Sequence, residues 1–572
     1  MDLAIRNATI VDGTGAARYS GDIGVENGLI VALGTVEGRA AEEIDAAGLV
    51  VAPGFIDCHT HYDAQICWDE MLSPSVYHGV TTAIGGNCGF TLAPLSGRAE
   101  DADYLMQMLS VVEGMPVASL RAAVKPSWTS FGGFLDAFDG KLAINTAFMV
   151  GHCALRRAVM GERAVGHEAT GEELEAMKAL LGRSLAEGGL GFSTTTSVSH
   201  SDHNGDPVPS RWASDEELIG LAEVLRDYPG TLVEIVPGVG PFVDERENML
   251  VTNLSLASQR VVNWNAIFVD VSRETIVESQ LATGRYAAER GAKVLGLVQS
   301  APLGAVLNFR SGFTFAMLDG WKPFLRLSIP ERIEAMKDPE WRARLEAGAK
   351  NPANPVDTMR NLDSYVIQDL RSEKNARWRG RPVREYAAEV GLSNFDALFQ
   401  LAVEEDLFLT FSGPDMGADE ESWKLREKVW NDPNVLLGGS DAGAHVDMFN
   451  TFALTTQLLG QGVRERGVVT LEDAVRRITG ELADAFGITN RGYIAKGRAA
   501  DLVIFDPEMI DCGPITMIDD LPGGESRLYG DAIGIHHVIV NGVPVARGNS
   551  PTGRKGGKML RSGTDTYTVP LN

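Results

Sequence analysis

The run Leu49-Val50-Val51-Ala52-Pro53-Gly54-Phe55-Ile56-Asp57-Cys58-His59-Thr60-His61 reads as an apolar strand, a Pro-Gly break, a second short strand and two histidines one residue apart. Side chains alternate faces along a strand, so His59 and His61 point the same way. Imidazole suits zinc and neighbouring transition metals. A pair so placed needs only a third and fourth donor from elsewhere in the chain to hold one ion. Two histidines at this spacing also arise by chance, and the rest of the chain decides between the readings.

The chain has 572 residues, 22% charged and 44% apolar. That is the composition of a folded globular protein, long enough for a large barrel with insertions and a companion domain. The formal charge of −26, from 51 basic and 77 acidic side chains, opposes phosphate backbones and anionic membrane surfaces, so neither nucleic acid nor membrane is an expected partner. Five scattered cysteines without a Cys-x-x-Cys pair fit a reducing compartment. The start Met1-Asp2-Leu3-Ala4-Ile5-Arg6 has neither the basic start nor the continuous apolar stretch of a signal peptide. Together these predict a cytoplasmic protein.

Up to about Val51 the pattern alternates and is punctuated by turns, with Asn27-Gly28 marking a hairpin. The same pattern returns in Asp501-Leu502-Val503-Ile504-Phe505 and around Asn541-Gly542. The two ends are expected to combine into one β-sandwich domain, residues 1–53 plus 495–572. Between them short apolar runs alternate with helical stretches, the rhythm of a parallel α/β barrel. Strands are predicted near 54–58, 81–86, 144–150, 189–194, 231–236, 261–268, 293–298 and 435–439. The fold class is therefore α/β, a (β/α)8 TIM-like barrel over 54–494 with the small β-sandwich beside it. Two stretches, about 301–432 and 90–143, are too long for simple connections and are expected as insertions, the first over the barrel mouth.

In such barrels the chemistry sits at the C-terminal ends of the strands. Polar residues directly after the apolar runs include His59 and His61, Cys88, His152, His200, Glu234, Asn263 and Asn265, and Asp441 with His445. Asp441 closes the eighth run, where a carboxylate can ligate a metal and also take a proton from an activated water. A turn or helix-capping Asp is the alternative. His152 is expected to line the substrate pocket or to bond to a neighbouring loop. His200, in a loop with Gly205 and Pro207, is expected to touch substrate, and His445 to line the pocket or orient Asp441. His167, His536 and His537 lie off the strand ends and are read as structural or surface residues.

The segment Val51 to His61 resembles the first barrel strand of the amidohydrolase superfamily, whose members place a His-x-His pair on a metal there. Gly79-Val80-Thr81-Thr82 followed by Gly86-Asn87-Cys88-Gly89 is similar to the N-acyl-D-amino-acid deacylase branch, and the likeness extends to Gly438-Gly439-Ser440-Asp441 and to 497–503. The resemblance implies a metal-dependent amide hydrolase with Asp441 as general acid/base and Cys88 as a thiolate ligand. It also implies histidines at the ends of strands five and six, where this chain has Glu234 and Asn263-Trp264-Asn265 instead. The expected ligand set is thus His59, His61 and Asp441 with Cys88 or Glu234, around one divalent ion, with zinc expected from the ligand types, and with a small-molecule amide as substrate. Superfamily relatives often form homo-oligomers, and no stripe in this sequence demonstrates an interface. Hydrolysis of a cyclic or non-amino-acid amide, or a non-catalytic scaffold, stays open at this point.

Overall fold

The computed structural model describes residues 1–238, 243–354 and 358–571. Strands form at each predicted run: β1 (Phe55–Asp57), β2 (Val80–Gly85), β3 (Asn145–Phe148), β4 (Gly191–Thr195), β5 (Leu232–Val236), β6 (Val262–Ile267), β7 (Val294–Val298) and β8 (Val435–Leu437). The run predicted as a single strand over 144–150 divides. β3 pairs with β2, whereas its continuation Val150–Gly151 pairs with β4, and between them Met149 N–H donates to Gly85 O at 2.9 Å. Two parallel sheets result: β1-β2-β3, and a six-stranded sheet from β8 through β7, β6, β5 and β4 to that continuation. Thr60 forms a parallel bridge with Ala442. Asp441 N–H donates to His59 O at 3.0 Å and His61 N–H to Ala442 O at 2.7 Å, so the ends of β1 and β8 lie side by side.

Alternation along the strands explains the core. Ile56, Ile84, Ala147, Leu232, Leu297 and Leu436, drawn from β1, β2, β3, β5, β7 and β8, meet in one buried cluster, while the opposite faces pack against helices. Helix Gly171–Ala186 starts as its sequence predicts: Thr170 and Glu173 form a reciprocal capping box. Helix Asp215–Val224 is capped by Ser214, whose Oγ accepts from Glu217 N–H at 3.2 Å. No described helix is long and apolar enough to cross a membrane.

The two chain ends share one nine-stranded sheet, joined where Val50–Pro53 pairs antiparallel with Leu502–Phe505. Both Asn-Gly hairpins turn as predicted, with φ of 49° and 75° at Asn27 and Gly28 and of 47° and 77° at Asn541 and Gly542. These left-handed values at both central positions are what selects Asn and Gly. The long segment between β7 and β8 is not a loose loop. It carries a three-stranded sheet of Val306–Leu307, Thr410–Ser412 and Val366–Asp369 and its own apolar core, centred on Phe309, Trp321, Phe399 and Phe411. Its last helix, Glu420–Trp430, instead packs Trp423, Val429 and Trp430 into the main core.

Candidate active site

The C-terminal end of β1 delivers His59 and His61 to one buried place. Cys88 joins them from the turn after β2, where Gly86 (φ 76°) and Cys88 (φ 57°) are both left-handed. A Cβ at Gly86 would lie 2.4 Å from Met149 O, so only glycine lets this turn pass the third strand. His59 Nε2 and His61 Nε2 lie 3.5 and 3.7 Å from Cys88 Sγ. These three buried residues offer ligand atoms that all lie within 4.8 Å of one another. Asp441 Oδ1 stands 3.0 Å from His61 Nε2 and 3.4 Å from His59 Nε2, with 31% of its side chain exposed, open to an incoming molecule.

Asp441 is held by its own turn and by β1. Gly439 (φ 80°) and Asp441 (φ 59°) reverse the chain after β8. The buried Asp57 carboxylate accepts from Ser440 N–H at 3.1 Å and also from the Ser440 hydroxyl. Burial of Asp441 opposes its ionisation. Hydrogen bonds and charge from His59 and His61 outweigh that and hold its carboxyl well below the usual carboxylate range.

Glu234 does not take the ligand position expected of it. Its Oε2 accepts from Cys88 N–H and its Oε1 from Asn265 Nδ2, each at 2.7 Å. It approaches His59 at Nδ1, 3.9 Å away, the ring nitrogen turned from the cluster. Asn265 Nδ2 lies 2.7 Å from the same Nδ1. β5 pairs Glu234 with Asn263 of β6, and Asn265, two residues further along β6, bridges the Glu234 carboxylate and His59 Nδ1. Burial pushes the Glu234 carboxyl up to about 7.

His152 likewise departs from a substrate-lining role. It is fully buried, with Nδ1 2.9 Å from Thr194 Oγ1 and Nε2 2.8 Å from Glu217 Oε1. Both ring nitrogens are thus occupied by the protein. His200 bonds through Nδ1 to Thr195 Oγ1 at 2.8 Å and packs on Phe90 with ring centroids 5.1 Å apart. His445 Nε2 lies 3.9 Å from Asp441 Oδ2. Burial, reinforced by nearby histidines, lowers His200 to about 3, and burial lowers His445 to about 4, so both are neutral at pH 7.

Two imidazoles and a thiol converging in a buried place are a zinc-type donor set. The surroundings fit a cation as well. Glu113 is pushed well above the usual carboxylate range by burial and by Asp441, Asp63 and Glu234, and burial pushes Asp63 up to about 7. Carboxylates crowded in this way are what a divalent ion relieves.

The sequence matches the amidohydrolase family over residues 42–546. This chain belongs to that family. Among its relatives, D-aminoacylase of Alcaligenes xylosoxydans xylosoxydans is 27% identical across 98% of this chain and 97% of the relative. The N-acyl-D-aspartate deacylase of the same organism is 28% identical across 98% and 95%. A solved N-acyl-D-glutamate deacylase from Bordetella bronchiseptica, complexed with zinc and a phosphonate mimic of the tetrahedral intermediate, superposes with a TM-score of 0.64 at 25% identity, over 98% of this chain and all of that one. A D-aminoacylase described as having a binuclear metal centre gives 0.64 at 26% identity, over 98% of this chain and 99% of that one.

In this amidohydrolase the residues that strand-end reasoning missed are Asp57, Asp63, Glu113 and Glu217. Asp57 lies inside the motif that was read, two residues before His59, and its burial within β1 is the signal that it needs a polar partner. Glu113 and Glu217 sit on or beside helices, and no short-range pattern points from there to the strand ends.

Proposed function

We propose that this protein hydrolyses the amide bond of an N-acyl amino acid, using one divalent ion, zinc, held by His59, His61, Cys88 and Asp441. What carries the reading is the approach of Asp441 Oδ1 to both histidine Nε2 atoms beside Cys88 Sγ. The same reading takes the two parallel sheets as one (β/α)8 barrel over residues 54–494, with the site at the C-terminal strand ends, and residues 1–53 with 495–572 as the small β domain. The side-by-side ends of β1 and β8 and the shared apolar cluster support it.

An ion at this place supplies Lewis acidity to a carbonyl and lowers the pKa of a water from about 15.7 toward about 7. Asp441, ionised and partly open, accepts the proton of the attacking water and returns it to the departing amine. His200 and His445 are neutral, so they can hydrogen-bond to substrate without repelling a cation. Glu234 and Asn265 brace the His59 ring from behind and take no part in proton transfer.

The test is to strip the protein with a chelator, restore zinc, and compare it with Asp441→Asn on N-acyl-D-amino acids, their L forms and neutral amides. Activity on the N-acyl amino acids should vanish, return with zinc, and be nearly absent in the variant. Activity indifferent to both treatments, or hydrolysis confined to the neutral amides, would overturn the reading.

A further inference from the structure

Glu113 directly follows the helix Ala99–Val112, in the segment between β2 and β3, and only 3% of its side chain is exposed. Its Oε1 lies 3.4 Å from His61 Nδ1, a buried nitrogen with no hydrogen-bond partner among the described residues. Its main-chain carbonyl accepts from His445 N–H. One residue therefore touches the site from two sides, through its side chain at His61 and through its backbone at His445.

A neutral imidazole carries one N–H. If the His61 proton sat on Nε2 it would point at Asp441 Oδ1, 3.0 Å away, and occupy the lone pair that an ion needs. With the proton on Nδ1, that lone pair is free and the buried N–H requires an acceptor. The Glu113 carboxylate faces it, about 0.5 Å beyond the common 2.9 Å separation, a gap that a slight swing of the ring closes. We infer that Glu113 is a positioning residue for the metal centre: its carboxylate fixes the His61 proton on Nδ1, and its carbonyl ties down the loop that carries His445. The inference rests on the metal reading above.

A carboxylate behind a ligating histidine orients the ring and strengthens it as a donor, and its loss commonly lowers metal affinity about 10–100-fold. With no cation, however, a carboxyl group buried at this place keeps its desolvation cost without an ion to offset it, which weighs against the metal-free protein. The two effects have opposite signs, which separates a positioning role from a structural one.

The experiment compares wild type, Glu113→Gln and Glu113→Ala. Zinc affinity is read by competition with a chromophoric chelator, and melting temperature is measured on metal-free samples. Glu113→Ala should bind zinc about 10–100-fold more weakly, and Glu113→Gln, which keeps an acceptor oxygen, should fall between Ala and wild type. Both metal-free variants should melt at or above the wild-type temperature. Cobalt-substituted Glu113→Ala should show altered visible absorption, because the His61 donor is no longer held in place. If Glu113→Ala binds zinc as tightly as wild type, or if both variants lose stability in the metal-free form while keeping affinity, the inference is overturned. A wild type that takes up no zinc would overturn the metal reading itself.

Discussion

Glu217→Gln removes the charge at the centre of a buried ion pair behind β3 and β4. Glu217 accepts from His152 Nε2 at 2.8 Å and from Arg156 Nη1 at 2.6 and 2.5 Å, and the Arg156 side chain is fully buried. Burial pushes the carboxyl up, but His152 and Arg156 outweigh it and hold Glu217 at about 2 against an ordinary 4.5. At ~1.4 kcal/mol per pH unit, that difference corresponds to about 3–4 kcal/mol of stability at neutral pH. The folded value is the lower one, so this stabilisation is complete above pH 4.5 and is lost as pH falls toward about 2. The variant also leaves Arg156 buried without its partner, a loss of about 3–5 kcal/mol in comparable pairs. Urea unfolding at pH 7, followed by tryptophan fluorescence, should therefore show Glu217→Gln about 3–5 kcal/mol less stable than wild type. The gap should narrow when both are measured near pH 3.5. Replacing both partners, Arg156→Met with Glu217→Leu, should recover most of the loss. A deficit below about 1 kcal/mol, or one that does not shrink on acidification, would refute the assignment of this pair as a stabilising element.

Four further outcomes follow from the site. Asp441→Asn should lower kcat by about 10²–10⁴ with KM nearly unchanged, and elemental analysis should still find zinc on the remaining three donors. Asp57→Ala leaves the buried Ser440 N–H without its acceptor and should cost about 1–3 kcal/mol in urea unfolding; kcat should fall as well, because Asp441 is the next residue. Cys88→Ala should lose zinc on dialysis that wild type survives. Chelating the wild type should lower its melting temperature, since an ion at 100 times its dissociation constant contributes about 2.7 kcal/mol.

The sequence locates the site well where local geometry decides it. His59 and His61 share a face because strand alternation is strict, and Asp441 and Cys88 follow short apolar runs that read as buried strands. The Asn-Gly turns were legible because few residue pairs accept two successive left-handed conformations. Glu234 was recognisable as a strand-end carboxylate, but which nitrogen of His59 it would meet depends on Asn265, 206 residues from His59 in sequence, a long-range property. His152 could have faced a substrate or the interior, and its burial was settled by Glu217, 65 residues away. Glu113 arrives from an insertion whose path no periodicity specifies. The segment between β7 and β8 gave a clearer hint than its length alone, since Phe309, Phe315, Trp321 and Phe324 lie close together in sequence and form a core of their own.

The hydrogen bonds from Ser440 to Asp57 span 383 residues, and this separation has a consequence for biosynthesis. At ~5–20 residues per second, roughly 20–80 s pass between synthesis of the two partners. His59, His61 and Cys88 emerge together and early, while the acid that completes their pocket is made only when three-quarters of the chain already exists. For that interval the two imidazoles and the thiol of the proposed centre exist without Asp441. On the proposed reading, the four-donor set therefore cannot close until most of the chain has been made.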